Sequence, residues 1–362
     1  MKEITFHRPE IDKIAPAYHG AFDFAELENL ALNPANVLDF SVNSNPYGPS
    51  PRVAQALAAV PVDRYPDREA IALRRALAAR LNLPPDNFVI GNGTAELFWL
   101  LAFATLSPGD PVLIIEPTFG EYRRVSKLMG AVVHTFTAPP PDFAIDPATV
   151  AAQLAKLRPR LVFVCNPNNP TGQTLPPAQI AAWTGQQPDA LFVVDESYLG
   201  FTPALASALT VPARNVLVVR SMTKDYALAG LRLGFAASHN HPLIAAIAAV
   251  RPAWNVSGLA QAAGLAALAD EAYLQQCLAD LYRAKAELLA GLTGLGFAPA
   301  PSATHYFLMP VGAAAGFRLK LLRQGLLVRD CASFGLPEYV RIATRRAEQN
   351  ARLIDALRIG LD

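Results

Sequence analysis

Val218-Val219-Arg220-Ser221-Met222-Thr223-Lys224-Asp225-Tyr226-Ala227-Leu228-Ala229-Gly230-Leu231-Arg232-Leu233-Gly234 is the stretch on which the reading of this chain turns. It continues an apolar run over residues 216–219, which predicts a buried strand. A polar turn with two hydroxyls and a lysine follows, then Gly-Leu-Arg-Leu-Gly. A lysine surrounded by Ser221, Thr223 and Arg232 suits an amine that bonds a carbonyl cofactor, while hydroxyls and a guanidinium hold a phosphate. The plain alternative is a surface loop with a solvated lysine.

Two other stretches have the same form. Residues 161–165 are apolar and run into Asn166-Pro167-Asn168-Asn169-Pro170-Thr171-Gly172. Residues 191–194 run into Asp195-Glu196-Ser197-Tyr198. In open parallel sheets, ligands sit at the carboxyl ends of such strands. The order Asn-Asn-Pro-Thr-Gly, Asp-Glu-x-Tyr, Ser-x-Thr-Lys, Gly-Leu-Arg-x-Gly resembles the fold-type I pyridoxal-phosphate enzymes, in their class I/II aminotransferase branch. The resemblance covers nearly the whole chain.

Composition narrows the field independently. The chain has 362 residues, with 31 basic and 30 acidic side chains and a formal net charge of +1. That balance offers no face for nucleic acid or an anionic membrane. Residues 1–16 mix charges and lack the apolar core of a signal peptide, and no apolar run of about 18 residues predicts a membrane span. Cys165, Cys277 and Cys331 are too few and too isolated for a disulfide framework or a metal site, so reduced thiols in the cytoplasm are expected. The length exceeds one simple core and predicts a large domain with a smaller one.

Upstream, His19-Gly20 precedes Asn43-Ser44-Asn45-Pro46-Tyr47-Gly48, which reads as a turn. Asn45 is either part of that turn only or an amide offered to a substrate anion. In Arg64-Tyr65-Pro66-Asp67, Asp67 is expected to cap a helix over 68–81, with Leu73, Leu77 and Leu81 on one face. Gly91-Asn92-Gly93-Thr94-Ala95-Glu96 opens another helix, and glycines there leave backbone N–H groups free to point at an anion. Phe119 follows a strand end and a proline turn. It is either core or a ring that stacks on a planar cofactor. Strand and helix patterns alternate from about 88 to 238, which argues a mainly parallel sheet with helices on both faces.

The resemblance implies an α/β fold, with a mainly parallel seven-stranded sheet in the large domain and a small α+β C-terminal domain. The expected boundaries are 1–45 for the N-terminal arm and part of the small domain, 46–255 for the large domain and 256–362 for the small one. It implies pyridoxal 5'-phosphate bonded to Lys224, which would also move the proton at the substrate Cα. Asp195 would pair with the pyridine nitrogen, although it could instead cap a following helix. Asn169 and Tyr198 would bond the phenolic oxygen. Ser221, Thr223, Arg232, Thr94 and Ala95 would hold the phosphate, and Phe119 would stack on the ring. The resemblance also implies a homodimer, in which Tyr65 reaches the neighbouring subunit's cofactor phosphate, and an arm whose His19 and Asn45 line the site.

Two arginines bear on the substrate. Arg341 sits between Val340 and Ile342 in an apolar strand, where a guanidinium is costly unless paired. A carboxylate is its natural partner, and a structural ion pair is the alternative. Arg329, at another strand end, would serve a second anion, so a phosphorylated amino compound is expected. The chain is similar both to L-threonine-O-3-phosphate decarboxylases and to histidinol-phosphate aminotransferases. Thr223 before the lysine, Ala343 after Arg341-Ile342, and Arg329-Asp330-Cys331-Ala332-Ser333-Phe334 lean toward the decarboxylases. The aminotransferase is the alternative. A ligand-sensing relative without catalysis is remote, since no DNA-binding module or basic face accompanies the motifs.

Overall fold

The structure is a computed structural model that describes residues 6–7, 11–12, 14 and 20–360. Its first half runs α1 (Phe24–Asn29), β1 (Leu38–Asp39), α2 (Pro51–Ala58), α3 (Ile71–Leu81), β2 (Phe88–Gly91), α4 (Gly93–Thr105), β3 (Pro111–Glu116), α5 (Glu121–Leu128) and β4 (Val132–Thr137). It continues with α6 (Pro147–Leu157), β5 (Leu161–Cys165), α7 (Pro177–Gln186), β6 (Leu191–Asp195), β7 (Val216–Ser221), β8 (Gly234–Ala237), α8 (His241–Ala249), α9 (Gly258–Leu268) and α10 (Glu271–Gly294). It closes with β9 (Tyr306–Pro310), α11 (Ala314–Arg323), β10 (Leu326–Leu327), β11 (Arg329–Asp330), β12 (Tyr339–Ala343) and α12 (Ala347–Ile359).

Seven strands form one sheet in the order β2-β8-β7-β6-β5-β3-β4. Every pairing from β7 to β4 is parallel, whereas β8 runs antiparallel to both β7 and β2. The continuous apolar runs of β5 to β7 follow from burial of both sheet faces. Alternate residues divide between them. Val112, Phe163, Val193 and Val219 pack with α4, α5 and α8 on one side. Leu113, Val162 and Phe192 pack with α6 and α7 on the other. A three-stranded antiparallel sheet, β11-β12-β9, lies in the C-terminal part, and β1 pairs in parallel with β10. The α/β class, the seven strands and the mainly parallel order are those the residues and the resemblance led one to expect.

Local boundaries differ in instructive ways. The expected helix 68–81 starts at Ile71, because Ala70 takes a left-handed φ of 46°. Asp67 still serves the helix end, accepting hydrogen bonds from Glu69 N and Ile71 N. The apolar run that ends at Arg329 divides at Val328 into β10 and β11, which join different sheets. Helix α9 went unpredicted: its sequence, GLAQAAGLAAL, has too few polar residues to mark a face. Asp146 caps α6, its carboxylate accepting from Ala148 N and Thr149 N. Among the described residues, no helix is long and apolar enough to cross a membrane.

Candidate active site

The parallel strands β5, β6 and β7 end side by side, so Asn169, Asp195 and the Ser221–Lys224 turn are delivered to one edge of the sheet. There they line a cavity of about 660 Å³, together with Thr94, Ala95, Phe119, Tyr198, Arg232, Arg329 and Arg341. Residues some 250 positions apart in sequence thus share one wall.

One end of the cavity gathers groups that could hold a phosphate. Helix α4 begins there with no side-chain cap, so the first N–H groups, at Thr94 and Ala95, are free donors. Ser221 Oγ and Thr223 Oγ1 lie 2.6 Å apart. Arg232 closes the cradle, tied by Nη1 to Ala229 O at 3.1 Å. Gly93 is required by its backbone, whose φ is +79°, and a Cβ there would also crowd Arg232 Nη2, coming within 2.6 Å of it.

At the other end, Asp195 is buried and anchored on both oxygens. Oδ1 accepts from Ser197 N at 2.9 Å, and Oδ2 accepts from the Tyr122 hydroxyl at 2.5 Å. Burial raises its pKa, while the hydrogen bonds from Ser197 and Tyr122 and the charge of Lys224 favour the ionised form. Tyr122 lies flat against Phe163, with centroids 4.7 Å apart, and meets Phe119 edge-on. Sequence reasoning passed over Tyr122. Its signal was its place in the first turn of the helix that Phe119 introduces.

Lys224 lies between these ends. Burial, helped by the charges of Arg341 and Arg232, pushes its pKa down to about 8, against the pull of Asp195. A lysine in that range is unprotonated to about one part in ten at pH 7, a far larger nucleophilic fraction than an ordinary lysine has. Tyr198 faces the cavity with its hydroxyl pKa raised by burial, and its ring meets Tyr306 edge-on.

The two arginines are direct partners in the β11–β12 ladder, Arg329 opposite Arg341. Arg341 Nη1 donates to Asn169 Oδ1, and Arg329 Nη2 donates to Ser333 Oγ at 2.7 Å. Like charges in directly opposed positions repel, so a bound anion complements the pair.

Asn45 stands elsewhere than expected. Its Nδ2 donates to Asp225 O, its Oδ1 accepts from Tyr47 N, and it does not line the cavity. Its backbone N–H holds Lys224 O at 2.9 Å. It braces the lysine segment, and Asn43, two residues earlier, faces the cavity instead. Both asparagines sit in one turn, and only the path of that turn distinguishes them. Tyr65 is 80% exposed and stacks on Trp254, away from the cavity. His19 lies outside the described residues.

The donor set fits pyridoxal 5'-phosphate. Thr94, Ala95, Ser221, Thr223 and Arg232 would hold its phosphate, Asp195 its pyridine nitrogen, Asn169 and Tyr198 its phenolic oxygen, and Phe119 one ring face. Lys224 would bond its carbonyl. Among the described residues, no cluster of His, Cys, Asp or Glu could hold a metal ion.

Known proteins agree with this geometry. The chain is 41% identical over 332 residues to a histidinol-phosphate aminotransferase of Symbiobacterium thermophilum, covering 90% of this chain and 91% of that one. Its structure superposes with a TM-score of 0.86 on the histidinol-phosphate aminotransferase of Sinorhizobium meliloti in complex with pyridoxal-5'-phosphate, at 25% identity and 99% coverage of both chains. It also resembles the L-threonine-O-3-phosphate decarboxylase of Porphyromonas gingivalis, with a TM-score of 0.78 and 28% identity over 88% of this chain and 98% of that one. The family described as aminotransferase class I and II matches residues 35–357. The chain therefore belongs to the class I and II aminotransferases, enzymes that work with pyridoxal 5'-phosphate.

Proposed function

We propose that this enzyme transfers the amino group of histidinol phosphate to 2-oxoglutarate. The observation that carries the reading is the Arg329–Arg341 pair, two guanidinium groups opposed across one ladder on the cavity wall. The cradle around Arg232 serves the cofactor phosphate, so the pair is left for anions of the substrates. Histidinol phosphate brings a phosphate and no carboxylate, whereas 2-oxoglutarate and glutamate bring two carboxylates. A pair of arginines suits both in turn, with Arg341 alternating between phosphate and carboxylate.

The cofactor, when bound, supplies an electron sink for charge left at the substrate Cα. Lys224 Nζ, with its lowered pKa, takes and returns the Cα proton. Asp195 would offer a negative charge to the pyridine nitrogen, and Tyr122 and Ser197 hold that carboxylate in place. Asn169, bonded to Arg341, links substrate grip to cofactor grip.

The leanings that Thr223 and Ala343 gave toward threonine-phosphate decarboxylation carry less weight than 41% identity to a histidinol-phosphate aminotransferase, against 28% to the decarboxylase. The working form is a homodimer in which Tyr65 reaches the neighbour's cofactor phosphate. The test is to incubate the holoenzyme with histidinol phosphate plus 2-oxoglutarate, and separately with threonine phosphate. Glutamate is expected from the first. Carbon dioxide and aminopropanol phosphate from the second, with no glutamate from the first, would overturn the proposal.

A further inference from the structure

Behind the segment that carries Lys224 lies a second cavity, of about 200 Å³. Ser221 borders both cavities. Its other walls come mainly from α3, the loop after β6, the lysine segment and the first turns of α10, with Phe235 and Leu268 closing it; aliphatic side chains such as Leu77 and Leu278 line one part and charged ones another.

Its charged groups do not cancel. Arg220 Nε donates to Glu196 Oε2 at 2.9 Å, and Glu196 is further bonded by Ser207 Oγ and Ala208 N. Arg80 pairs with Glu271 nearer the surface. Those two ion pairs are internally matched, which leaves Asp225. Its Oδ1 accepts from Tyr226 N at 3.0 Å. Its Oδ2 lies against Gly200, so closely that a Cβ there would come within 2.2 Å of it. Among the described residues no Lys, Arg or His forms an ion pair with it. Burial pushes the Asp225 carboxyl up to about 7, with the backbone hydrogen bond from Tyr226 and the charges of Arg220 and Arg80 pulling the other way. An ionised carboxylate in such surroundings gains from a cation that brings its own hydrogen-bond donors.

We propose that this cavity is a second ligand site, for a small organic cation whose amidinium, guanidinium or ammonium head sits on Asp225 and whose compact apolar body fills the aliphatic end. Apolar walls with one oriented charge are the ordinary make-up of a small-molecule pocket, and a volume of about 200 Å³ restricts the occupant to a compact one. The site bears on the first one through the backbone. Asp225 follows Lys224 directly, and Asn45 fastens both, its N–H to Lys224 O and its Nδ2 to Asp225 O. An occupant therefore touches the segment that presents the catalytic lysine.

A primary amine would also react with the cofactor, so the probe is benzamidine, with neutral benzamide as its isostere. Calorimetric titration into the holoenzyme should give saturable one-to-one binding for benzamidine and none for benzamide. Asp225→Asn, nearly the same shape, should weaken it at least about tenfold, the usual loss for a charged hydrogen bond. Leu205→Trp, which fills the cavity from its loop wall, should abolish it independently of Asp225. The proposal fails if benzamidine does not bind, if benzamide binds equally, or if the folded variants bind as well as wild type does, which would put the probe elsewhere.

Discussion

Lys224 is costly to the fold that holds it. A lysine in the unfolded chain titrates near about 10.4, whereas burial brings Lys224 down to about 8. Between those values the unfolded chain binds a proton that the native protein does not, so stability rises with pH across that window. Below about 8 the penalty is present in full. Cofactor-free Lys224→Met should therefore melt above cofactor-free wild type near neutral pH. The gap should close as pH rises from about 8 toward about 10, and thermal melts over that range would read it directly. A constant gap would mean that the lysine is not strained by its charge. Tyr122 is the complementary case, a residue that supports another. Its hydroxyl donates to Asp195 Oδ2, and burial holds its own pKa well above the ordinary tyrosine value, so it remains a donor. Tyr122→Phe should leave Asp195 less readily ionised and lower kcat by about 10- to 100-fold with little change in KM. An unchanged kcat would remove Tyr122 from the site's electrostatics.

Among the elements, the short ladder β11–β12 has the largest consequence. Its register sets Arg329 against Arg341, and a slip of one residue would turn one of them out of the cavity. The two arginines should be separable by substrate. Arg329→Ala should reduce kcat/KM for phosphorylated substrates by about 10- to 150-fold and for unphosphorylated analogues far less. Arg341→Ala should weaken both halves of a transamination, since it would meet phosphate in one and carboxylate in the other. Equal losses for Arg329→Ala on histidinol phosphate and on histidinol would show that Arg329 does not read the phosphate. The run that ends at Arg329 is continuous in its apolar pattern, and only the partners divide it, β1 for β10 and β12 for β11.

At the scale of the whole molecule, Tyr65 and Trp254 form an exposed stack, 4.5 Å between centroids, and neither lines the cavity. Two large aromatic rings left in water suit an interface. In solution the protein should weigh twice 38.8 kDa by light scattering. Tyr65→Phe should keep that mass while weakening cofactor retention by several-fold, the scale of one lost hydrogen bond. A monomer that retains cofactor normally would refute the composite site.

The sequence alone marked the residues that the fold gathers into one cavity. Lys224, Asp195, Asn169 and Arg232 were legible because each stands in a short local pattern, at the end of an apolar strand or in a tight glycine-bounded turn, and local patterns are written in consecutive residues. The alternation of strands and helices was legible for the same reason. Tertiary structure decided what depends on distant segments meeting. It chose Asn43 over Asn45 to face the cavity, because the turn between them is oriented by the Lys224 segment some 180 residues away. It brought Tyr122 onto Asp195 across the gap between a helix and a strand. It opposed Arg329 to Arg341 and left Asp225 facing a second cavity behind the lysine. A side chain's neighbours across space are set by packing, and packing sums over the whole chain, where no window of sequence can read it.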